Sequence, residues 1–295
     1  MMRASAKSSC VGPGVKPAPS SLAMRARIAS VLRSRPELVL APVTLAVLLV
    51  SWEYAVRLFE VPSYVLPPPS DVMVALHRGL AQSFTSRGGY WLHAGVTLVE
   101  VLLGFILGSL SGLVLGTIIS QIRIVEATFS MYLVAIQSLP KIALAPIIVL
   151  WFGFGLTSKV VIICLLTFFP LLVNSMVGFK SVERERLELM RAIGATPWQT
   201  FWNVRFPSAL PYIFAGLNMA AVFSIVGAVV GEFVGAQAGL GVLILSMNAA
   251  MDTAGTFSVF ILLSAIGILM HVALGALRRR VLFWEPTGTR PNDQP

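Results

Sequence analysis

The chain has 295 residues, of which 56% are hydrophobic and only 12% charged, and its mean hydropathy is +0.83. Charged residues make up about a quarter of an ordinary soluble domain, so this composition excludes an ordinary water-soluble enzyme. It also excludes a disordered chain, which would be polar, and a disulfide-rich module, because the only cysteines are Cys10 and Cys164. The composition therefore predicts an integral membrane protein whose net charge of +9 marks its orientation in the bilayer rather than nucleic-acid binding.

The N-terminal segment is rich in Pro, Ser, Ala, Arg and Lys and contains no apolar run. This pattern predicts a disordered basic cytoplasmic tail over residues 1–35 rather than a signal peptide. Met24 is a possible start of translation. A second short cytoplasmic tail is expected at residues 285–295, which leaves 36–284 as the membrane domain.

Six apolar runs in residues 36–284 are long enough to cross a bilayer, which takes about 17–25 mostly apolar residues. The predicted spans are Leu38–Leu58, Gly95–Ile118, Thr128–Phe154, Lys159–Phe179, Leu210–Val234 and Thr256–Leu277. The third contains Pro140, Lys141 and Pro146, so a bent or broken helix is expected there. The predicted fold class is an all-α membrane protein with six transmembrane helices.

The basic residues predict how these spans are oriented. If the N-terminal tail is cytoplasmic, 17 of the 22 Lys and Arg residues fall on the cytoplasmic side and Lys141 lies within a span. The opposite side receives only Arg57, Arg78, Arg87 and Lys159. By the positive-inside rule, and because an even number of spans returns the chain to its starting side, both termini are expected to be cytoplasmic.

The first outer loop, Phe59–Leu92, contains a short amphipathic pattern. Three consecutive prolines at 67–69 enforce an extended segment, after which Ser70 and Asp71 are expected to cap a helix. Its apolar residues recur at every fourth position: Val72, Leu76, Leu80 and Phe84. This spacing favours a helix that lies on the membrane or on the protein, with a simple connector as the alternative.

The loop between the fourth and fifth spans, Ser181–Pro207, is called the knuckle below. Residues Ser181–Ile193 predict a charged amphipathic helix, which Gly194 ends because glycine tolerates the left-handed conformation. A second helix is predicted to begin with Thr196 as N-cap, Pro197 at its first position and Gln199 at the capping-box position. Pro207 and Pro211 are expected to end that helix.

The second predicted helix of the knuckle is unusually aromatic. Two short helices cannot cover all of its large side chains, which are Trp198, Phe201, Trp202 and Phe206. The knuckle is therefore expected to dock into a cytoplasmic partner. Packing against the ends of its own spans is the alternative.

The sequence contains no pattern for chemistry of its own. It has no Gly-x-x-x-x-Gly-Lys-Ser/Thr loop, so it is not expected to bind nucleotide phosphates in the P-loop manner. Its histidines, His77, His93 and His271, lack metal-ligand spacing and are expected to be interfacial. We therefore expect no enzyme activity, no cofactor and no metal.

Ionisable and amide residues inside apolar spans are the default functional candidates of a membrane protein, and a transport route is one role for them. Lys141 is the first candidate, because it follows Pro140, whose break in the helix frees backbone carbonyls, and because its charge suits a passing anion. The other candidates are Glu100, Gln137, Asn174, Asn218 and Glu232. Each of them is as well suited to a hydrogen bond between helices as to a pathway.

Small residues at fixed spacing mark close helix contacts in two of the spans. Gly104, Gly108, Gly112 and Gly116 repeat every four residues in the second span, and Gly227 and Gly231 repeat the spacing in the fifth. Packing within the subunit and a dimer seam are both consistent with these stripes.

The knuckle also contains a motif that resembles a known family. Glu188-Leu189-Met190-Arg191-Ala192-Ile193-Gly194, followed after nine residues by Val204-Arg205-Phe206-Pro207, is similar to the cytoplasmic signature of the permeases of binding-protein-dependent ABC importers. Glu188, Gly194 and Pro207 match the signature, and Val204 and Phe206 are conservative replacements. Leu189 and Met190 stand where the signature has two alanines.

The resemblance extends over about residues 61–284 and points to the subgroup that imports sulfonates, taurine, nitrate and vitamin precursors. The matching segments are Val61-Pro62-Ser63, Leu66-Pro67-Pro68-Pro69-Ser70, Gln137-Ser138-Leu139-Pro140, Trp151-Phe152-Gly153-Phe154-Gly155, Phe168-Phe169-Pro170, Gly231-Glu232-Phe233 and Gly239-Leu240-Gly241. Several separate matches in the same order are more specific than one motif.

The resemblance implies a six-span permease of the bacterial plasma membrane that dimerises, with a homodimer favoured. It would bind two ATP-hydrolysing subunits through the knuckle residues Glu188, Arg191, Ala192, Gly194, Ala195, Val204, Phe206 and Pro207. An extracytoplasmic binding protein would deliver a small solute, either a sulfonate, taurine or nitrate or, alternatively, a pyrimidine, thiamine-type or riboflavin-type vitamin precursor. A distant rival is an ion-coupled secondary transporter, which would be expected to show paired intramembrane acids and inverted repeats.

Overall fold

The computed structural model describes residues 37–82 and 89–284, which are helical apart from short turns and connections and contain no strand. The predicted tails at 1–35 and 285–295, together with Cys10 and Phe84, lie outside the described residues. The chain divides into two compact units after Glu60. The first unit contains helix α1, Glu37–Leu58, whose apolar stretch Leu40–Leu58 is long enough to cross a membrane.

The second unit contains ten further helices among the described residues. They are α2 (Pro69–Ala81), α3 (Tyr90–Gln121), α4 (Arg123–Gln137), α5 (Ala145–Phe152), α6 (Leu156–Lys180), α7 (Arg184–Ala192), α8 (Pro197–Thr200), α9 (Phe206–Gly235), α10 (Leu240–Ala249) and α11 (Thr253–Val281). A 3₁₀ turn, Lys141–Leu144, precedes α5, and a π turn, Phe201–Arg205, joins α8 to α9.

Five helical stretches among the described residues are long and apolar enough to cross a membrane: α1, α3, α6, the continuous run Pro197–Gly235 and α11. Helices α4 and α5, with the 3₁₀ turn between them, make a further apolar stretch that is bent by 75°. The predicted break in the third span is therefore confirmed. Pro140 lies at the bend, where it precedes the 3₁₀ turn and lacks the N–H that would continue α4.

Helix α6 packs between α3 and α9, and the glycine stripes make this close packing possible. A Cβ atom at Gly116 would lie 2.8 Å from the carbonyl oxygen of Leu172, and one at Gly227 would lie 3.1 Å from the Cα of Ile163. Side chains at Gly108 and Gly112 would likewise collide with the backbone of α6. The stripes therefore serve packing within the subunit, and at Gly108, Gly112 and Gly116 a larger residue would push α3 and α6 apart.

The helices of the second unit define two ends. At one end, called the basic end, Arg205 Nη1 donates a hydrogen bond to Gln121 Oε1 at 2.8 Å, so that the knuckle lies beside the last residue of α3. Lys180 and Arg278–Arg280 end α6 and α11 at this same end. At the opposite, far end, the Tyr90 and Ser258 hydroxyls lie 2.6 Å apart and join the beginnings of α3 and α11.

Helix α2 begins differently from the prediction. Pro68 occupies the N-cap and Pro69 the first position, without a side-chain cap, so the predicted capping by Ser70 and Asp71 is wrong. Proline needs no hydrogen bond at the first position, and Asp71 in the first turn instead favours the helix electrostatically. Leu76 and Leu80 pack on the far-end core cluster around Tyr90 and Val259, so α2 lies on the protein.

The start of α3 and the presence of helix α10 also depart from the sequence prediction. Helix α3 begins at Tyr90 rather than Gly95, which shortens the predicted outer loop Phe59–Leu92. Helix α10 was not predicted, because its ten residues are too few to cross a membrane. Its Leu240 and Ile244 are buried against α3 and α11, so α10 closes the far end of the core.

Candidate coupling surface and transport pathway

The first helix of the knuckle begins at Arg184, so the predicted start at Ser181 is wrong. The Ser181 N–H donates instead to the Val177 and Gly178 carbonyls and completes the end of α6. Glu183 then takes the N-cap position of α7 and pairs with Arg186 at 2.8 Å. The separation of α7 from α6 leaves the knuckle as a distinct projection.

The predicted glycine turn is confirmed. Gly194 has φ +70°, the left-handed region that a residue with a Cβ adopts at a cost. The Gly194 N–H donates to the Arg191 carbonyl at 3.0 Å, and the Ala195 N–H donates to the Met190 carbonyl at 2.9 Å. This pair of bonds is the Schellman arrangement, which satisfies carbonyls left open at a helix end and fixes the direction of the following chain.

The predicted capping box at the second knuckle helix is also confirmed. The Gln199 N–H donates to Thr196 Oγ1 at 3.3 Å, and the Thr196 N–H donates to Gln199 Oε1 at 2.8 Å. The predicted end at Pro207 and Pro211 is wrong, because helical structure continues from Pro197 to Gly235. Pro207 lies in the first turn of α9, where no N–H donor is needed, and the π turn Phe201–Arg205 absorbs the change in pitch.

The aromatic residues of the knuckle divide into an anchored pair and an exposed pair. Phe201 stacks on Phe179 of α6 with ring centroids 5.6 Å apart. Phe201 and Phe206 both pack on the buried cluster around Phe179 and Leu210, called the basic-end core cluster. Trp198 and Trp202 are 69% and 46% exposed. The base of this segment therefore packs on the protein, as in the second alternative. Its tip presents apolar surface to the outside, and docking of that tip into a partner stays a prediction.

The predicted coupling residues of the knuckle differ in their exposure. Glu188, Arg191, Ala192 and Gly194 are exposed, whereas Ala195, Val204, Phe206 and Pro207 are half-buried. Arg191, Ala195 and Arg205 line a cleft of about 430 Å³ between α7, α8 and the end of α3. The residues with the family signature thus form one structural unit with an open face.

At the far end, Glu232 holds the turn that leads into α10. Its carboxylate accepts hydrogen bonds from Thr97 Oγ1 at 2.6 Å and from the Gly241 N–H at 2.5 Å. The Leu240 N–H donates to the same Thr97 hydroxyl at 2.8 Å. Glu232 is 1% exposed, so this candidate for the pathway lies in a buried network that ties α9 to α3 and α10.

His93 and Lys159 belong to the same buried region at the far end. His93 is 4% exposed, so its predicted position at an interface is wrong, and Lys159 lies in the first turn of α6. The Gly239 N–H donates to His93 Nδ1 at 3.0 Å, and Gly239 has φ +136°. Lys159 Nζ meets Glu100 Oε1 at 2.5 Å, and the two residues are 7% and 1% exposed. A buried charge needs such a partner, because its removal from water costs several kcal/mol or more.

Three of the predicted pathway residues meet in one cavity. Gln137, Lys141 and Asn174 line a space of about 450 Å³ between the broken third span, α6 and α9. Lys141 Nζ donates to the Gln137 carbonyl at 3.0 Å, which uses the backbone carbonyl that the helix break frees. Asn218 lies elsewhere on α9, where its Nδ2 donates to the Phe214 carbonyl at 2.9 Å.

Sequence reasoning missed the far-end network, although a signal for it was present. His93, Thr97 and Glu100 lie on the face of α3 that continues into the stripe beginning at Gly104. Polar residues in line with a packing stripe indicate a buried hydrogen-bonded face. Within residues 37–82 and 89–284 no group of three or more His, Cys, Asp or Glu side chains could hold a metal ion.

Long apolar helices, a broken span that lines a cavity with a few polar groups and a projecting helix–glycine–helix unit are the features of a multi-pass membrane transport protein. Residues 104–283 match the model of the family described as "Binding-protein-dependent transport system inner membrane component". The chain therefore belongs to this family, the permeases of ABC importers, which confirms the resemblance inferred from the knuckle motif.

Individual relatives agree with this assignment. The chain is 39% identical to the riboflavin transport system permease protein RibX of Chloroflexus aurantiacus over 244 residues, which are 83% of this chain and 89% of that protein. It is 29% identical to the taurine transport system permease protein TauC of Escherichia coli over 241 residues, 82% of this chain and 88% of that protein. A structure of the MetNI methionine ABC transporter has a chain with the same fold, at a TM-score of 0.51 and 23% identity over 71% of this chain and 97% of that chain.

Proposed function

We propose that this chain is the membrane-spanning subunit of an ATP-driven importer of the bacterial plasma membrane and performs no catalysis of its own. Two copies would form the pore, two ATPase subunits would bind on the cytoplasmic side, and an extracytoplasmic binding protein would deliver the solute. The family assignment supports this class of partners, and the abundance of Lys and Arg at the basic end supports a cytoplasmic knuckle.

The observation that carries the proposal is the pair of exposed tryptophans on a rigid knuckle. Trp198 and Trp202 present large apolar surfaces, which are typical of a docking site for another protein. The Schellman turn at Gly194 and the capping box at Thr196 fix the shape of the knuckle. A partner that binds there therefore meets a preformed surface.

The geometry also gives a route by which a bound ATPase would move the pore. Helical structure is continuous from Pro197 through the π turn into α9, and Phe201 rests on α6 through Phe179. A displacement of the knuckle is consequently transmitted to both α6 and α9. These two helices line the cavity that contains Lys141.

Two solute classes are consistent with the relatives, and both are small. RibX is named for riboflavin and TauC for taurine, a sulfonate. The knuckle and the far-end network do not discriminate between these classes, because neither borders the cavity in the broken span. The side chains that line the cavity are the ones that would contact the solute and discriminate between these classes.

The coupling role is tested by purifying the chain together with its partner ATPase. In the double variant Trp198→Ala/Trp202→Ala, the ATPase is expected to dissociate, because the central apolar contact is lost. Trp151→Ala is the matched control, since Trp151 is 74% exposed but lies on α5, away from the knuckle. Full retention of the ATPase by the double variant would overturn the proposed coupling surface.

A further inference from the structure

The cavity in the broken third span has apolar and aromatic walls with a few polar side chains. Its volume of about 450 Å³ lies within the range of small-molecule sites. Phe169, Met219 and Phe223 supply flat or polarisable apolar surface, while Gln137, Lys141 and Asn174 supply polar groups. Apolar walls with a few convergent polar groups are the usual composition of a ligand site.

Lys141 is held in place by its surroundings. Its Nζ donates to the Gln137 carbonyl at 3.0 Å and lies 4.8 Å from the centre of the Phe169 ring, where the negative face of the ring attracts the ammonium. An ammonium has three hydrogens, so a donor remains for a ligand. The ammonium of Lys141 is therefore held beside the Phe169 ring, with one of its N–H donors already bonded to the Gln137 carbonyl.

The amide groups at the rim supply both donors and acceptors. Within the described part of the chain, the side-chain amide of Gln137 makes no hydrogen bond, and it is exposed. Asn174 Nδ2 donates to the Pro170 carbonyl at 2.8 Å, which leaves the Asn174 carbonyl oxygen as an acceptor. A ligand edge that alternates N–H and C=O groups would be satisfied here.

We propose that this cavity is a transit binding site for a planar heteroaromatic ring with an amide-like edge, such as a flavin or a pyrimidine. The inference rests on the proposed function, in which solute passes through this subunit. The ring would pack against Phe223 and the sulfur of Met219, and its edge would meet Gln137, Lys141 and Asn174. Stacking of flat rings and contacts between sulfur and rings favour such an occupant.

An alkyl sulfonate fits the same lining less well. Its head group carries a full charge and only acceptor oxygens, so it needs several charge-assisted donors to replace water. The lining contains one cationic residue, Lys141, whose ammonium is partly engaged, and the amide oxygens would face the sulfonate with the wrong polarity. An alkyl sulfonate also has no ring that could stack on the aromatic walls of the cavity.

The test measures equilibrium binding of riboflavin to the full chain in nanodiscs, with its partner ATPase and without the binding protein. Riboflavin is fluorescent, so its anisotropy reports binding directly. Phe223→Leu is expected to weaken binding about tenfold, because it removes the stacking surface but keeps apolar volume. Gln137→Leu should weaken binding by a similar factor, because the ring edge loses a hydrogen-bond partner.

The control variant is Phe260→Leu, since Phe260 is exposed on α11 and does not line the cavity. Riboflavin binding by this variant should equal that of the unmodified chain, and taurine in large excess should not displace riboflavin. Displacement by taurine, equal weakening in the Phe260 variant, or absence of saturable riboflavin binding up to millimolar concentrations would each overturn the proposal. Copurification of an active ATPase in the same preparation shows separately whether the proposed function itself holds.

Discussion

The two ends of the second unit place their charged and aromatic residues in opposite environments. At the far end, Glu100, Lys159 and Glu232 are almost completely buried and each meets a partner, whereas at the basic end Glu188, Arg191 and Trp198 are exposed. Buried polar side chains fix the relative positions of the helices that carry them, because any shift of a helix leaves a polar group without its partner in apolar surroundings. Exposed apolar groups on a rigid support are suited to a partner instead.

This difference teaches which variants should act on the fold and which on coupling. Substitutions at the far end should lower the stability of the folded chain, and substitutions at the tip of the knuckle should leave stability unchanged while they reduce uptake. The four predictions that follow run from the largest expected effect on stability to the smallest. The first and the last test this division directly, and the two between them test the packing of α3 on α6 and the turn at Gly194.

Lys159→Met should cause the largest loss of stability. The substitution leaves the Glu100 carboxylate buried without its cation, and breaking one side of a buried ion pair costs about 3–5 kcal/mol. The double variant Lys159→Met/Glu100→Gln should recover more than half of the loss, because it removes the stranded charge. The measurement is the unfolding free energy in mixed micelles of detergent and sodium dodecyl sulfate.

Arg186→Met is the matched control, since it breaks the exposed pair with Glu183 at the basic end. Surface ion pairs contribute about 0–1 kcal/mol, so this variant should be nearly neutral. If Lys159→Met cost no more than Arg186→Met, the buried pair at the far end would contribute nothing to the fold, and the contrast between the two ends would be lost.

Gly112→Ala should destabilise the chain by about 1–3 kcal/mol through overpacking. The added methyl group would collide with the Phe168 carbonyl oxygen of α6. Gly95→Ala lies in the same helix, but its Cβ would meet nothing within 4 Å. It should stabilise the chain by up to about 1 kcal/mol, because alanine is a better helix former than glycine. Equal effects of the two variants would contradict internal packing by the stripe.

Gly194→Ala should have a smaller effect on stability and a larger one on transport. A residue with a Cβ at φ +70° costs about 1–2 kcal/mol, and the Cβ itself would meet no other atom. The strain would be relieved by a change of the turn, which moves Trp198 relative to α7. Uptake driven by ATP in reconstituted vesicles should therefore fall. Gly155→Ala, at an extended backbone position with open space around it, should transport normally.

Much of the fold was predictable from the periodicity of apolar residues and from the residues that begin, break or end helices. Pro140 predicted the broken span, and Gly194 and Thr196 predicted the turn and the cap of the knuckle, because each residue acts through its local backbone. The predicted end of the second knuckle helix is wrong because proline breaks a helix only beyond its first turn, whereas Pro207 falls in the first turn of α9, where proline is tolerated.

The candidate sites were less predictable, because they depend on which helices become neighbours. Lys159 and Glu100 are 59 residues apart in the chain, and Glu232 meets Thr97 across 135 residues. No local pattern encodes such pairs. Gln137 and Lys141, only four residues apart, were predicted as pathway candidates, but their meeting with Asn174 required the packing of the broken span on α6.

Trp198→Ala should have the smallest effect on stability, less than about 0.5 kcal/mol, because its side chain is 69% exposed and substitutions at such positions are nearly neutral. Transport should nevertheless fall strongly, since the substitution removes surface from the proposed contact with the ATPase while Phe201 continues to anchor the knuckle on Phe179. Stability is measured in mixed micelles and uptake in reconstituted vesicles. Phe201→Ala should instead lower the stability of the chain clearly, because Phe201 packs on the basic-end core cluster. A parallel loss of stability in both variants would show that the tip of the knuckle is part of the folded core rather than a docking surface.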